Sequence, residues 1–290
     1  MNRIKLKIGI ALALGLAGLH LAAAKPFFFI QLSDPQFGMF TDNRDFIQET
    51  ANLEFAVATI NRLRPAFVVV TGDLVNQPGN EKQIHEYQRI IGKVASDIPV
   101  YSLPGNHDVG NEPTAASIAT YTNQLEPDHF TFQHEGFVGI ALNSMLIHSP
   151  QKAPDLAAAQ ENWLQHELQT ARANGAAHIV VFAHHPWFLK SADEKDEYFN
   201  IPTERRRHYL QLFHAAGVKH LFSGHYHRNA VGHDGDLEAV TTGPVGMPIA
   251  EGKSGLRIVI VRDDGITHQY YHFGELPKTV NLNAPAAATK

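Results

Sequence analysis

The sequence predicts a layered α/β sandwich, and three observations carry that expectation. Short apolar runs that read as buried strands alternate with helical stretches along most of the chain. Five of those runs are followed at once by residues that bind metals well, so the loops at their carboxyl ends are expected to converge on one crevice. No Pro/Gly/Ser-rich stretch divides the 290 residues, and a single α/β domain of this length can bury a large core.

The elements follow in order. A first buried strand at 27–32 leads into a helix over 45–63, where Phe46, Ile47, Leu53, Val57, Ile60 and Leu63 fall at spacings suited to packing on a sheet. Pro65 stops that helix. A strand at 67–71, a helix over 81–95 and a strand at 100–103 come next. Segments 130–133 and 137–142 flank Glu135-Gly136 and read as a hairpin. Helices over 156–173 and 203–216 each precede a strand, at 178–182 and 220–222, with Gly175 and Gly217 placed where helices commonly end. The pattern then changes to strands at 237–242, 256–262 and 266–272, the last two joined by the hairpin signal Asp263-Asp264-Gly265, so a mixed second sheet is expected. Connections 109–127 and 188–202 are long enough to form the rim of a crevice. The tail 277–290, with its Ala-Pro-Ala-Ala-Ala run, is expected to be disordered.

Composition narrows the function classes. With 44% hydrophobic and 18% charged residues the chain is globular, and the absence of Cys excludes disulfides, thiolate metal sites and cysteine nucleophiles. Arg3, Lys5 and Lys7 precede an apolar run at 8–21 and then Ala22-Ala23-Ala24, the layout of a signal peptide over 1–24 that is cut before Lys25. The apolar run is shorter than the roughly 20 residues of a spanning helix. A periplasmic or secreted protein is therefore expected, with no stable membrane insertion after cleavage. Loss of the leader carries the net charge from −5 to −8, and an acidic protein of this kind is not expected to partner nucleic acid.

The segments after the strands are Asp34-Pro35-Gln36, Gly72-Asp73, Gly105-Asn106-His107-Asp108, Ala183-His184-His185-Pro186 and Gly224-His225-Tyr226-His227. Oxygen and imidazole donors gathered together suit divalent Zn, Fe, Mn or Ni. A carboxylate at the end of Val-Val-Val-Thr-Gly-Asp needs a partner, which Asp73 would find in a metal. Asn106 can offer a carbonyl oxygen while His107 reaches toward a substrate. Only one of His184 and His185 can easily face the crevice, and His184 is the choice. His225 and His227, two apart, would point away from each other, as two adjacent metals would require. The remaining histidines lie in no such motif and are assigned to surface or core.

These residues carry a resemblance. The ordered series Asp-x-Gln, Gly-Asp, Gly-Asn-His-Asp, His-His-Pro and Gly-His-x-His resembles the calcineurin-like metallophosphoesterase superfamily, over about residues 28–276. More narrowly, Ser33-Asp34-Pro35-Gln36-Phe37-Gly38 and the stretch from Phe222 to Ala230 resemble the calcineurin-like phosphoesterase domain-containing proteins described as serine/threonine phosphatases. The resemblance implies an α/β four-layer αββα sandwich with two mixed β-sheets, spanning 25–276. It implies two divalent metal ions, Fe, Mn or Zn: the first held by Asp34 and His227, the second by Asn106, His184 and His225, with Asp73 bridging. His107 would contact the substrate phosphate or the leaving group. Two positions depart from the wider pattern. Gln36 stands where most members have His, and an amide oxygen is a weaker ligand than imidazole. Asn76 stands where protein phosphatases place an Asp that pairs with the catalytic His, so His107 is expected to be held less firmly in its protonated form.

The expected reaction is hydrolysis of phosphate monoesters, on a phosphorylated small molecule or on phosphoserine and phosphothreonine in protein, by a hydroxide bridging the metals. Phosphodiesterase action on nucleotides or lipid head groups is the alternative, and a catalytically weak metal-binding interaction module is a third reading. Arg228, after the last motif, could bind phosphate bidentately. Trp187, Phe188 and Tyr226 could stack on an aromatic leaving group. The acidic residues Asp193, Glu194, Asp196 and Glu197 read first as a solvated loop; acting at the site, they would disfavour highly anionic substrates and could favour a phosphorylated peptide with basic flanks.

Overall fold

The computed structural model describes residues 25–283. The expected leader at 1–24 lies outside them. In chain order the elements are β1 (Phe27–Leu32), α1 (Ile47–Leu63), β2 (Val68–Thr71), α2 (Glu81–Ile91), β3 (Val100–Leu103), α3 (Asn106–Val109), α4 (Ala115–Gln124), β4 (Phe130–His134), β5 (Phe137–Ala141), α5 (Ser144–His148), α6 (Pro154–Ala173), β6 (His178–Phe182), α7 (Thr203–Ala216), β7 (His220–Ser223), β8 (Ala230–Asp234), β9 (Leu237–Thr241), β10 (Gly255–Arg262) and β11 (Gly265–His272).

Two mixed sheets result. One has five strands in the order β11-β10-β1-β2-β3, the other six in the order β4-β5-β6-β7-β9-β8. In the first, β1, β2 and β3 run parallel while β10 and β11 are antiparallel additions at one side. In the second, β5, β6, β7 and β9 run parallel, with β4 and β8 antiparallel at the edges.

The layering follows from which residues each strand turns to each face. Along β1, Phe28, Ile30 and Leu32 join the core with Leu53, Val57 and Ile60 of α1, whereas Phe27 and Phe29 join a second core between the sheets. Along β6, Val180 and Phe182 enter that same inter-sheet core, while Ile179 and Val181 pack with Leu164 and Leu168 of α6 and Phe213 of α7. Strands buried on both faces read as continuous apolar runs, which is why these segments show no alternation. Helices, sheet, sheet and helices therefore stack as a four-layer sandwich. Its centre is aromatic: Phe29 stacks on Phe67 at 4.9 Å and meets Phe137, Phe182 and Phe222, each at 5.8 Å.

Some elements were not foreseen. The connection 109–127 contains α4, capped by Thr114, whose hydroxyl accepts from Ser117 N while the Ser117 hydroxyl accepts from Thr114 N. The edge strand β8 pairs with β9 across a turn at Gly235. The end of the described chain is also packed: Val280 and Leu282 lie against the first core, and Arg62 Nη1 donates to the carbonyls of Pro277 and Lys278 at 3.0 and 2.7 Å. The disorder expected from 277 onward thus does not apply through residue 283; two well-spaced apolar residues and two backbone anchors suffice to dock a short segment.

Phe29 is completely buried at the meeting point of the two sheets. Phe29→Ala should lower the unfolding free energy by about 3–5 kcal/mol, the range for a buried aromatic replaced by a methyl group. Urea unfolding of the two proteins measures it; a loss below about 1 kcal/mol would contradict the central place given to this ring.

Candidate metal centre

Beneath the site, the sheets are tied by one buried amide. Gln31 Nε2 donates to Thr71 Oγ1 at 3.1 Å and to the Ser223 carbonyl at 3.0 Å, and its Oε1 accepts from Thr242 Oγ1 at 2.6 Å, so β1, β2, β7 and the segment after β9 share a floor. Above it the loops are laced together: Asp34 N donates to Gly72 O, Gln36 N to Asp73 O, Gly224 N to His184 O, and Val245 N to Ser33 O. Close approach depends on glycine. A Cβ on Gly224 would run into Ser33 Oγ and the Asp34 carboxylate, so no other residue fits between β1 and β7 here.

The backbone at the site is strained. Asp34, Gln36, Asp73, His225 and His227 all have positive φ, between 41° and 65°, although none is glycine. Such conformations cost on the order of 1–3 kcal/mol each and persist only where the surroundings impose them. Here they aim five polar side chains inward.

The result is two overlapping groups of ligand atoms. Asp73, His184 and His225 form one, Asp34, Asp73 and His227 the other, and within each the donor atoms lie within 4.8 Å of one another. All five residues are buried. In the first group His184 Nε2 is 3.3 Å from Asp73 Oδ2, 3.0 Å from Asn106 Oδ1 and 3.2 Å from His225 Nδ1. In the second, His227 Nε2 is 3.4 Å from Asp34 Oδ1. His225 and His227 thus serve different groups, and Asp73 belongs to both.

The far nitrogen of each ring decides what the near one can do. His184 Nδ1 lies 2.8 Å from the Thr71 carbonyl, His227 Nδ1 2.6 Å from that of Met247, and His225 Nε2 3.4 Å from that of Tyr198. A carbonyl only accepts, so each of these nitrogens carries a hydrogen and the opposite nitrogen turns a lone pair inward. Lone pairs of imidazole, carboxylate and amide oxygen then face one another, an arrangement that needs a cation. Two of these rings can supply positive charge themselves: at His227 burial opposes protonation but the Asp34 carboxylate favours it, and a second proton sits on His184. Burial opposes that charge, but the Asp73 carboxylate outweighs it and lifts the His184 pKa to about 9. Burial likewise works to raise Asp73, yet the charge on His184 holds it well below the carboxylate range. Burial and then the charge on His184 depress His225 to about 3. Carboxylate oxygens, an amide oxygen and neutral imidazoles are a donor set that fits divalent metal.

Other singled-out residues sit around this cage. Gln36 donates from Nε2 to Asn76 Oδ1 at 3.1 Å, leaving its Oε1 buried with no hydrogen-bond partner. His107 N donates to Asp73 Oδ1 at 2.8 Å, and its ring Nδ1 meets the Asn76 main-chain carbonyl at 2.8 Å. The missing Asp at position 76 is therefore made up in orientation by the backbone of Asn76, while the Asn76 side chain holds Gln36 and Asn43. His185 is turned away from the cage, its Nδ1 at 3.1 Å from Ser144 Oγ and its ring 4.4 Å from that of His225.

Arg228 directly follows His227, and its guanidinium lies over the Tyr226 ring at 4.2 Å. Two expectations are corrected. Trp187 and Phe188 are buried in the core beneath α6 and α7 and cannot stack on a leaving group. Glu194 and Asp196 are spent inside their own loop. Glu194 accepts from the amides of Leu189, Lys190 and Ser191, and Asp196 from Thr203 N at the start of α7.

Residues that the sequence did not single out also shape the site. Asp108 accepts from Leu74 N, Val75 N and Gly105 N, stapling the Asp73 loop to the Asn106 loop; burial and then the nearby Asp73 charge push its pKa to about 7. Tyr198 and Met247 contribute the carbonyls behind His225 and His227. Tyr198 also stands over the cage, its ring 5.1 Å from that of His225.

Comparison with known proteins agrees with this geometry. The calcineurin-like phosphoesterase family model matches residues 29–229. The chain is 39% identical to the rat serine/threonine-protein phosphatase CPPED1 over 268 residues, covering 87% of this chain and 86% of that protein. Among solved structures, a purple acid phosphatase from yellow lupin aligns with a TM-score of 0.65 at 13% identity, covering 87% of this chain and 52% of that one. A dimetal phosphatase from Danio rerio aligns with a TM-score of 0.60 at 14% identity, covering 86% and 97%. These last two share the fold, the four-layer sandwich described above. A matching family model over most of the chain, a close relative over nearly its whole length and a buried cage of Asp and His at the strand ends lead to one conclusion: the chain belongs to the calcineurin-like phosphoesterase family and is a metallophosphoesterase, a metal-dependent hydrolase of phosphate esters.

Proposed function

We propose that the protein is a phosphomonoesterase that uses two divalent cations, with phosphoserine and phosphothreonine in protein as the substrate class its relatives' name supports. The observation that carries the reading is the pair of buried donor groups that share Asp73. Asp34, Asp73 and His227 would hold one ion and Asp73, Asn106, His184 and His225 the other, with the orphaned Gln36 Oε1 the remaining acceptor nearby. Bound there, the cations would neutralise the phosphoryl oxygens and lower the pKa of a water that attacks phosphorus.

The chain's own contribution centres on His107. The Asn76 carbonyl fixes a hydrogen on Nδ1 and so leaves Nε2 for the substrate, while the bond from His107 N to Asp73 keeps the ring beside the cage. In its charged form that nitrogen donates to a phosphoryl or leaving-group oxygen. Asn76 supplies orientation without a formal charge. No serine or cysteine nucleophile is needed, in keeping with a chain that lacks Cys.

Three outcomes test this. Loaded with manganese or zinc, the protein should hydrolyse 4-nitrophenyl phosphate at least tenfold faster than the bis ester; the reverse preference would favour the diesterase reading, and no turnover of either would refute catalysis on simple esters. His107→Ala should lower kcat about 100-fold or more with metal content unchanged, as plasma emission shows, because the ring contributes proton transfer and not ligation.

The third outcome concerns pH. His184, lifted from 6.5 to about 9, gives the metal-free fold stability that is full below pH 6.5 and is lost as pH rises through 9. His225, depressed from 6.5 to about 3, acts oppositely: below pH 6.5 the unfolded chain takes up a proton that the folded chain refuses, and stability falls. Chelator-treated protein should therefore have its highest Tm near pH 6.5. Added zinc should abolish the decline between pH 6.5 and 9. A chelated protein whose Tm is flat over that interval would show that His184 carries no such proton.

A further inference from the structure

Tyr198 is the one aromatic side chain of the 183–202 connection that is both strongly exposed, at 59%, and set against the metal cage. Its main chain is fixed from below by the His225 Nε2–H bond to its carbonyl, and its ring packs on the His225 imidazole at 5.1 Å. Its hydroxyl faces the Asn106 side chain and feels the Asp73 charge. Phe199 continues the wall, 5.6 Å from His225 and 5.0 Å from Tyr226.

The segment that carries this tyrosine is built to hold still. Asn200, almost fully buried, donates to Glu194 Oε1 at 2.7 Å and to the Lys195 carbonyl at 3.0 Å and accepts from Glu197 N at 3.0 Å, closing the turn on which Tyr198 sits. Arg206 of α7, with a wholly buried side chain, donates to the Glu194 carbonyl and to Thr203 Oγ1 and lies 3.7 Å from both Glu194 Oε1 and Asp196 Oδ1. A residue so anchored is presented in one position, which is what a group that contacts a reacting substrate requires.

We infer that Tyr198 is a substrate-contacting residue whose hydroxyl donates a hydrogen bond to a non-bridging oxygen of the phosphoryl group held at the cage. Burial, and then the Asp73 charge, raise the Tyr198 phenol above its ordinary range, so it keeps its hydrogen across the neutral range and the contact needs no titration. A hydrogen bond to a charged phosphoryl oxygen is among the stronger ones, and its loss is worth roughly 10- to 100-fold. The role is distinct from that of His107, whose ring is held by the Asn76 carbonyl, and from that of the Asp and His side chains that make up the two donor groups.

The inference rests on the phosphoester reading, and its test separates the two. Tyr198→Phe keeps the ring on His225 and the carbonyl behind Nε2 and removes only the hydroxyl. With the zinc-loaded protein, metal content and Tm should match wild type, the dissociation constant for inorganic phosphate measured by calorimetry should rise at least tenfold, and kcat/KM for 4-nitrophenyl phosphate should fall to a similar degree. Phosphate binding needs no turnover, so it reports on Tyr198 even if monoesters prove not to be hydrolysed. Phosphate affinity within twofold of wild type in Tyr198→Phe would overturn the inference. A variant that instead lost metal would do so too, because it would show that the hydroxyl supports the cage and not the substrate.

Discussion

The constraint on which this end of the molecule depends is a set of lone pairs turned toward one another. Main-chain carbonyls of Thr71, Met247 and Tyr198 claim the hydrogens of three imidazoles, so His184, His227 and His225 must present bare nitrogens to Asp34, Asp73 and the Asn106 oxygen. Two buried carboxylates whose oxygens lie within 4.8 Å add their own repulsion, about 3–4 kcal/mol at an effective dielectric constant near 20. Without an added positive charge the arrangement opposes folding. The proton that His184 retains is the minimum answer, and a divalent cation is a fuller one because it meets all the lone pairs at once. Metal binding and the stability of this edge are thus one property.

Strain compounds the demand. Five inward-facing residues hold left-handed backbone conformations, and Asp108 adds a third buried carboxylate, whose pKa burial and then the nearby Asp73 charge push to about 7. None of these features stabilises the fold by itself. They are held by what lies beneath: the Gln31 amide that bridges both sheets and the Phe29, Phe67, Phe182 and Phe222 rings of the inter-sheet core. The loops are bent at the ends of strands that cannot shift, because each strand is packed on both faces. A rigid double layer under a strained, charge-crowded rim is the condition for pre-organised electrostatics, in which donors are already placed before a substrate arrives.

Most of the architecture was legible in the sequence because burial leaves a mark. Strands packed on both faces read as apolar runs, helices as stripes with 3.6-residue spacing, and the polar residues that break those runs fall at the strand ends. The donor residues were legible for the same reason: Asp73 after Val-Val-Val-Thr-Gly or His184 after Val-Val-Phe-Ala is out of place unless it has work at a sheet edge. What could not be read were contributions that carry no side-chain signature. The carbonyls of Thr71, Met247, Tyr198 and Asn76 fix every imidazole of the site, and a carbonyl is present at every residue. Asn76 shows the difficulty, since its side chain differs from the expected Asp while its backbone takes over the orienting task. The acidic cluster shows a related limit: it reads as a solvated loop, and nothing in it foretells that Glu194 and Asp196 turn oxygens to main-chain amides and to Arg206. Local composition gives charge but not direction.

The contacts that Glu194 and Asp196 make within the connection, to Thr203 and to Arg206 explain why the long 183–202 connection is a wall and not a hinge. A buried arginine without partners would be strongly destabilising, and removing one member of a buried pair typically costs 3–5 kcal/mol, so Arg206 and the residues it contacts are fixed together. Through Glu194 and Asn200 that rigidity reaches Tyr198, and through the Tyr198 carbonyl it reaches the far nitrogen of His225. Displacing the connection would therefore free the His225 hydrogen to choose the other nitrogen, and the lone pair facing Asp73 and His184 would be lost. The rim and the cage hold each other: the loop sets the tautomer of a donor imidazole, and the donor imidazole sets the position of the tyrosine above it.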